Sequence, residues 1–400
     1  MLREVAFKLV NRLAAGCRLG WALAALVFTV AEPCAAQIPI SLHVDPVFYA
    51  DDTEFANPFR PGGTILGSFQ RIFVEIEPSD RATLQLGLYA MERAGSHSPV
   101  DRGLPIVSLR LGSPRQQFIL GTLRPPSDHR EAFGPDRTTP HGLLPPLGVE
   151  TLWFTRAYEA GVQWVTRTER VAHDVWFDYQ TLNTPEHREH FDAGAVGRLA
   201  IAGPFALGYQ AHIVHHGGEQ YQSGPVADSF GYGPGLMVER PLARLDAVSL
   251  EVFGLVADDR PDRAAPLRTV EGKGVFVRAA AEKRRWRGHV IVWRGDDFNH
   301  EDGDPNYLSK DRSGMRYHGT RDYSELGLAR LFRPAPAVDL EGSVRMHRIE
   351  AHFGYSFRLL AIVHLTLWRA SLDVSRARVG PCSSRCRQND RLPPAALSLW

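Results

Sequence analysis

Residues 356–368 read S-F-R-L-L-A-I-V-H-L-T-L-W. Leu359, Ala361, Val363, Leu365 and Leu367 share one side of this stretch. Arg358, His364 and Thr366 lie on the other, interrupted by Leu360 and Ile362. Side chains of an extended strand point alternately to opposite faces, so the pattern predicts a long strand with one apolar face. Soluble sheets are built from strands of about five or six residues. A strand twice that length is what a tilted crossing of a bilayer needs.

The pattern recurs along the chain, and helical periodicity after residue 40 is weak throughout. Ile72, Val74 and Ile76 alternate with Arg71, Phe73, Glu75 and Glu77. Leu84, Leu86 and Leu88 alternate with Thr83, Gln85 and Gly87, and Val107, Leu109 and Leu111 with Ser108 and Arg110. Tyr158, Ala160, Val162 and Trp164 alternate with Glu159, Gly161 and Gln163. Val175, Phe177 and Tyr179 alternate with Asp174, Asp178 and Gln180. Residues 248–256 and 338–347 repeat the design. Turn signals at Pro78-Ser79-Asp80, Gly112-Ser113-Pro114, residues 258–261 and Arg333-Pro334 separate the runs. Longer polar connections fall at 125–146, 217–228, 259–273 and 296–316. About fourteen to sixteen strands result, with short turns and long loops in alternation.

A sheet in hydrocarbon must close, because an open edge leaves backbone groups without partners. Its outer face must be apolar and its inner face can be polar. The polar faces here carry charges of both signs, which a dry core would hold only at high cost. The predicted fold is therefore all-β: a single antiparallel transmembrane β-barrel over residues 37–368. A secreted soluble β-protein that binds carbohydrate is the alternative that alternation alone leaves open.

The N-terminus fits an exported chain. Arg3, Lys8 and Arg12 precede a 12-residue apolar core at 19–30, and Cys34-Ala35-Ala36 offers small residues for cleavage before Gln37. Residues 1–36 are thus read as a signal peptide. No cysteine lies between residues 37 and 381, so the body holds together without disulfides. The formal net charge of +1 argues against a nucleic-acid partner. The tail, residues 369–400, lacks alternation, contains Pro393-Pro394 and reads as irregular. Its Cys382 and Cys386 amount to half a metal site.

With its signal, its strand grammar and Trp368 closing the last strand, the chain resembles Gram-negative outer-membrane β-barrel proteins of the porin type. In that family an aromatic residue ends the barrel and is read by the barrel-assembly machinery; here thirty-two residues follow it. Within residues 116–194, Q-Q-F-I-L-G-T-L-R, H-G-L-L-P-P-L, D-V-W-F-D-Y-Q-T-L and P-E-H-R-E-H-F-D-A-G are similar to a group of uncharacterised porin-like barrels. The resemblance implies an outer-membrane location, contact with lipopolysaccharide and passage of small solutes.

Motifs for chemistry are few. The acidic run 296–304 has oxygen ligands suited to Ca²⁺, but Asp302 stands where an EF-hand needs glycine, so a solvated surface loop is the default. His212, His215 and His216 cluster at a strand end, and His187-Arg188-Glu189-His190 lacks the partners of a zinc site. Gly231-Tyr232-Gly233-Pro234-Gly235 reads as a hairpin turn rather than a phosphate cradle. Trp153, Phe154, Tyr158, Trp164, Trp176, Phe177 and Tyr179 read as an aromatic girdle. No G-x-S-x-G elbow, P-loop or G-x-G-x-x-G occurs. Nothing in the spacing of Asp174, Asp178, Glu189 and His190 compels catalysis. The sequence reading is therefore a passive channel, not an enzyme, with no cofactor and no resident metal. Arg71, Glu75, Arg110, Glu159, Asp174, Asp178 and Arg278 are the expected lumen-lining charges that set selectivity. A plugged surface barrel with a binding or structural role is the second reading.

Overall fold

The computed structural model describes residues 37–125 and 139–373. The expected signal peptide and cysteine-bearing tail fall largely outside these residues. Pro39–Ala370 forms one compact unit. Of the second unit, Met1–Ile38 with Ser371–Trp400, only residues 37–38 and 371–373 are described.

The strands are β1 (Gln37–Ala56), β2 (Pro61–Ser79), β3 (Ala82–Arg93), β4 (Arg102–Ser113), β5 (Gln116–Thr122), β6 (Ala160–Arg167), β7 (Val171–Thr181) and β8 (Glu189–Ala202). They continue with β9 (Phe205–Gly217), β10 (Ala227–Leu242), β11 (Leu245–Arg260), β12 (Val270–Lys283), β13 (Trp286–Asp296) and β14 (Thr320–Ala335). The last are β15 (Val338–Ile349), β16 (His352–Val363) and β17 (Leu365–Asp373). From β1 to β16 each strand pairs antiparallel with its sequence neighbour, and β16 pairs with β1 to close the sheet. β17 resumes β16 after His364 and also pairs with β1. The seventeen segments therefore make an all-β, closed antiparallel barrel of sixteen strands, as the alternation predicted. Closure satisfies every strand edge, which is what hydrocarbon demands.

The outer wall is apolar. Ile72, Leu86, Val107, Phe118, Trp164, Leu207, Val252, Val292, Leu328, Phe357 and Leu359 are all exposed large hydrophobics. Such a band would be a liability in water and suits lipid. Their strand neighbours Arg71, Gln85, Ser108, Gln163, Gln210, Ser356 and Arg358 face inward and are buried. Among the described residues no helix is long and apolar enough to cross a membrane.

Several local expectations are corrected. β14 runs through Arg333-Pro334, which the sequence offered as a turn; the ladder with β15 shifts register between Phe332 and Ala335, and proline sits in that irregularity. Residues 258–260 likewise belong to β11. The last strand extends beyond Trp368 to Asp373. Gly231 to Gly235 lies inside β10, not in a hairpin turn. A Cβ at Gly231 would come within 2.3 Å of Leu147 Cδ2 and 2.7 Å of His300 Cδ2. The glycine is there because two loops press against it from inside.

Those loops fill the interior. One joins β5 to β6 (described from residue 139 to 159), and the other joins β13 to β14 (297–319). They bond to each other: Val149 N–H donates to Asp302 O at 2.6 Å, and Asp304 N–H to Pro145 O at 2.9 Å. Leu143, Leu144 and Leu147 from the first loop and Phe298, Tyr307 and Leu308 from the second pack on wall residues including Trp176, Phe253, Phe276 and Trp293. A short helical turn, Leu152–Thr155, sets Trp153 and Phe154 against Tyr49, Phe69, Tyr89 and Leu360. Leu360 and Ile362, which interrupt the polar face of the last strand, belong to this inner cluster. Among the described residues, these two loops and the wall around them form a packed apolar core.

Candidate active site

Three consecutive strands carry a hydrogen-bonded chain of catalytic residue types on their inner faces. Glu325 (β14) lies opposite His347 (β15) in the ladder. Ser356 (β16) lies opposite Arg345, two residues before His347 on the same face of β15. The Ser356 hydroxyl oxygen is 2.8 Å from His347 Nε2. His347 Nδ1 is 2.7 Å from the Tyr323 hydroxyl and 3.3 Å from Glu325 Oε2. The Tyr323 hydroxyl donates to Glu325 Oε2 at 2.5 Å, and His289 Nε2 is 2.7 Å from Glu325 Oε1. All five side chains are buried.

This network sets the tautomer. Tyr323 has one hydroxyl proton and donates it in its hydrogen bond to Glu325. The phenol oxygen and the carboxylate then face His347 Nδ1 as acceptors, so Nδ1 carries the proton. Nε2 is left with a lone pair toward Ser356, whose hydroxyl donates to it. A nucleophile on a base, and a base held by a carboxylate, is the arrangement of serine hydrolases.

Beside Ser356 stands a cluster of four charges. Arg358 Nε donates to Asp51 Oδ2 at 2.6 Å, and Arg358 NH2 to Glu150 Oε2 at 2.7 Å. Arg345 NH1 donates to the same Glu150 oxygen at 2.5 Å, with its NH2 3.8 Å from Asp51. Asp51, Arg345 and Arg358 belong to the wall, whereas Glu150 comes from the first inner loop. Burial pushes the Glu150 carboxyl up, but the two guanidiniums outweigh it and hold it below the usual range. Arg60 clamps the second loop through both oxygens of Asp304, at 2.9 and 2.8 Å. The space left among Glu150, Tyr307, His347, Ser356 and Arg358 is about the size of one water. The site is closed in this structure.

A second buried cluster anchors the first loop to the wall. His141 Nδ1 is 2.9 Å from Asp174 Oδ2 and Nε2 is 2.8 Å from Glu159 Oε2, and the ring stacks on Trp176 at 3.9 Å. Both nitrogens donate, so this is an imidazolium. Burial lowers its pKa, but Glu159 and Asp174 more than offset that, raising it to about 10. A raised folded-state pKa means that the contact stabilises fully below the unfolded value of about 6.5 and fades as pH rises through about 10. Protease cleavage within 139–159 is therefore expected to be slowest below about pH 6.5, to accelerate steadily as pH rises to about 10, and to level off above that. A rate that is flat between about pH 6.5 and 10 would show that His141 is not held as a cation. His141 has φ 53°, in the left-handed region, ahead of Gly142 at φ 76°. The contacts to Asp174 and Glu159 hold that backbone in place.

The group best placed for a metal is Asp192, His212 and Asp302, whose ligand atoms lie within 4.8 Å of one another. Arg156 NH2 already bridges the two carboxylates, at 3.0 Å from Asp192 and 2.7 Å from Asp302. That guanidinium supplies the charge a cation would bring. Neighbouring His300 is pushed down to about 3, by burial first and then by the nearby His212, and stays neutral.

The structure places the seven predicted charges on the inner side but does not gather them into one site. Glu159 and Asp174 meet at His141. Asp178 accepts the Ala160 N–H at 2.7 Å, Arg278 NH2 donates to Glu251 at 2.7 Å, and Glu75 accepts from Gln85 at 2.7 Å. Arg71 is buried on β2 with its guanidinium over Phe73, and Arg110 is half-buried on β4. The acidic run 296–304 is not a solvated loop: Phe298, Asn299, His300 and Asp304 are buried, because the segment turns into the barrel. The aromatic group is no girdle as a whole. Trp153, Phe154 and Trp176 pack inside, whereas Trp164 faces out. His190 and His216 stack at 3.8 Å near the loop end, with His216 Nε2 2.5 Å from Glu301 Oε1.

In sequence, residues 34–365 match the model of a family described as lipid A 3'-O-deacylase-type. The chain belongs to that family. No curated protein matches it. In structure it is similar to a loop-deletion mutant of OmpT, an outer membrane protein of Vibrio cholerae, with 10% identity, 82% of this chain and 99% of that chain covered, and a TM-score of 0.50. It is also similar to OpdL of Pseudomonas aeruginosa (11% identity, 82% and 99% covered, TM-score 0.48). An anion-selective porin from Comamonas acidovorans is a third (10% identity, 83% and 100% covered, TM-score 0.46). At such identity the first likeness shows the fold alone, a barrel of the outer-membrane porin type.

Family membership overturns the expectation of a non-enzyme, since the family is one of hydrolases. The signal missed in sequence was parity. Glu325, His347 and Ser356 each sit at an inward position of an alternating strand, but only the ladder shows that they touch.

Proposed function

We propose that this deacylase-type barrel is an outer-membrane ester hydrolase that removes an acyl chain from lipid A. The observation that carries the reading is the hydrogen-bonded series Ser356, His347, Glu325 on the inner wall. Ser356 Oγ attacks the ester carbonyl and passes its proton to His347 Nε2. The sugar oxygen leaves and takes that proton, and an acyl-serine remains. Water then gives a proton to His347, its oxygen attacks the acyl carbon, and Ser356 is restored as the fatty acid departs. Glu325, with Tyr323, holds the imidazole in the required tautomer and stabilises its charged form.

The apolar outer wall supports a place in a lipid bilayer, where lipid A is a neighbour rather than a solute. The packed interior speaks against a plain diffusion channel. We further read Arg71, Glu75, Arg110, Asp178 and Arg278 as inner-wall groups that bind no substrate.

The test is expression in a Gram-negative host whose lipid A is otherwise unmodified, followed by mass spectrometry of extracted lipid A. A species lighter by one acyl chain is expected. Unchanged lipid A, from cells in which the protein is recovered as a folded, heat-modifiable barrel, would remove this reading.

A further inference from the structure

The Glu150 carboxylate is an unusual occupant of the wall cluster. It is the one member that comes from a loop, and a single oxygen takes a donor from each of two guanidiniums, at 2.5 and 2.7 Å. Asp51, the wall's own carboxylate, already accepts Arg358 Nε. Glu150 takes a close donor from each guanidinium, while the Glu325 carboxylate also acts on Arg345 and Glu150. When Glu150 leaves, those two donors are open to another anion. Both guanidiniums are buried, so their attraction for it is weakly screened. Two converging guanidiniums suit a tetrahedral oxyanion, which offers three oxygens to their planar forks.

The position fits the same purpose. Arg345 lies directly across the ladder from Ser356, and Arg358 is two residues along the same face of β16. An anion held between them sits about 7 Å from the serine, the spacing of alternate residues on one strand. Glu150 is on the loop that closes the cavity, next to Val149, whose N–H ties it to the second loop at Asp302.

We propose that Arg345 and Arg358 form a phosphate-monoester subsite, which the Glu150 carboxylate fills in the closed state and vacates when a phosphorylated ligand enters. The inference rests on the hydrolase reading only for the source of the phosphate, the sugar headgroup of lipid A. Glu150 is then a substrate mimic on a lid.

The experiment is calorimetric titration of folded protein in detergent with inorganic phosphate. All forms carry Ser356→Ala, so turnover plays no part. The parent should show weak uptake or none. Glu150→Gln should bind phosphate at least tenfold more tightly, and Glu150→Gln with Arg358→Gln should lose that gain while restoring charge balance. No gain in Glu150→Gln, or a gain that survives Arg358→Gln, would overturn the subsite. Should Glu150→Gln fail to fold, Glu150→Ala replaces it, since it also removes the carboxylate.

A second arm uses micellar lipid A with its phosphates and after enzymatic dephosphorylation. Tighter binding of the phosphorylated form by Glu150→Gln assigns the subsite to the headgroup. Equal binding of both lipids, with inorganic phosphate still bound, overturns the headgroup assignment in favour of a free anion. These readouts need no catalysis. A protein that cleaves no lipid A yet gains phosphate binding would retire the hydrolase and keep the subsite.

Discussion

Ser356→Ala should lower lipid A deacylation by at least about 10³-fold while the barrel stays folded. The hydroxyl is the sole nucleophile in the series, and alanine leaves His347 with nothing to activate. The structural cost is small. One hydrogen bond to His347 is lost, worth about 1 kcal/mol, against a wall held by ladder bonds along all sixteen strands. The loss should therefore fall on kcat, with KM little changed, because the serine contributes little to holding the lipid. Glu325→Gln is the companion measurement. An amide at this position would place an N–H where Tyr323 and His347 Nδ1 now find an acceptor, favouring the opposite tautomer and costing roughly 10²–10⁴-fold. His289 would lose its charged partner in the same change. Activity of Ser356→Ala within a factor of a few of the parent would show that the chemistry lies elsewhere among the inner-wall groups. The His141 and Asp192 clusters would be next in line.

Leu147→Asp should convert a closed barrel into a conducting one. Leu147 is fully buried between the two inner loops and β10. Losing its burial costs about 2–3 kcal/mol, and placing a carboxylate among Leu143, Leu144 and Phe298 adds several more. The loop can avoid that penalty by leaving the interior, since its hold on the wall is through side chains such as His141 and Glu150. The strand ladder does not depend on it. In planar bilayers the parent should show little or no single-channel conductance, and Leu147→Asp should open steps of porin size. Deacylation should fall together with the change, because the roof of the cavity leaves with the loop. Equal conductance in the two proteins, both folded, would mean that the packed interior does not decide permeation.

The outer wall of this barrel is readable in one dimension. Ile72, Val107, Val292 and Leu359 announce a lipid-facing side because strand parity has a period of two and hydrocarbon tolerates no exceptions. The inner side is less legible. Leu360 and Ile362 break the polar face of the last strand, and their reason, Trp153 and Phe154 on a distant loop, is invisible along the chain. The run 296–304 looks solvated because four of its residues are aspartate. Its carboxylates are paired with Arg60, Arg156 and His318, contacts that no local pattern announces. Gly231 and its neighbours look like a turn until Leu147 and His300 are seen against them.

The apolar strand face, the closed sheet that lipid would demand and a range of about fourteen to sixteen strands came from the sequence alone, since they follow from residue-by-residue alternation and the cost of unpaired backbone in lipid; the count of sixteen came from the ladder. Whether the barrel would be open, and which inward side chains would become neighbours, was decided only by the tertiary structure. A slip of two residues in the β15–β16 ladder leaves every face unchanged, yet shifts Ser356 by about 7 Å along β15. Alternation is blind to such a slip. The ladder and the two loops packed behind it are not.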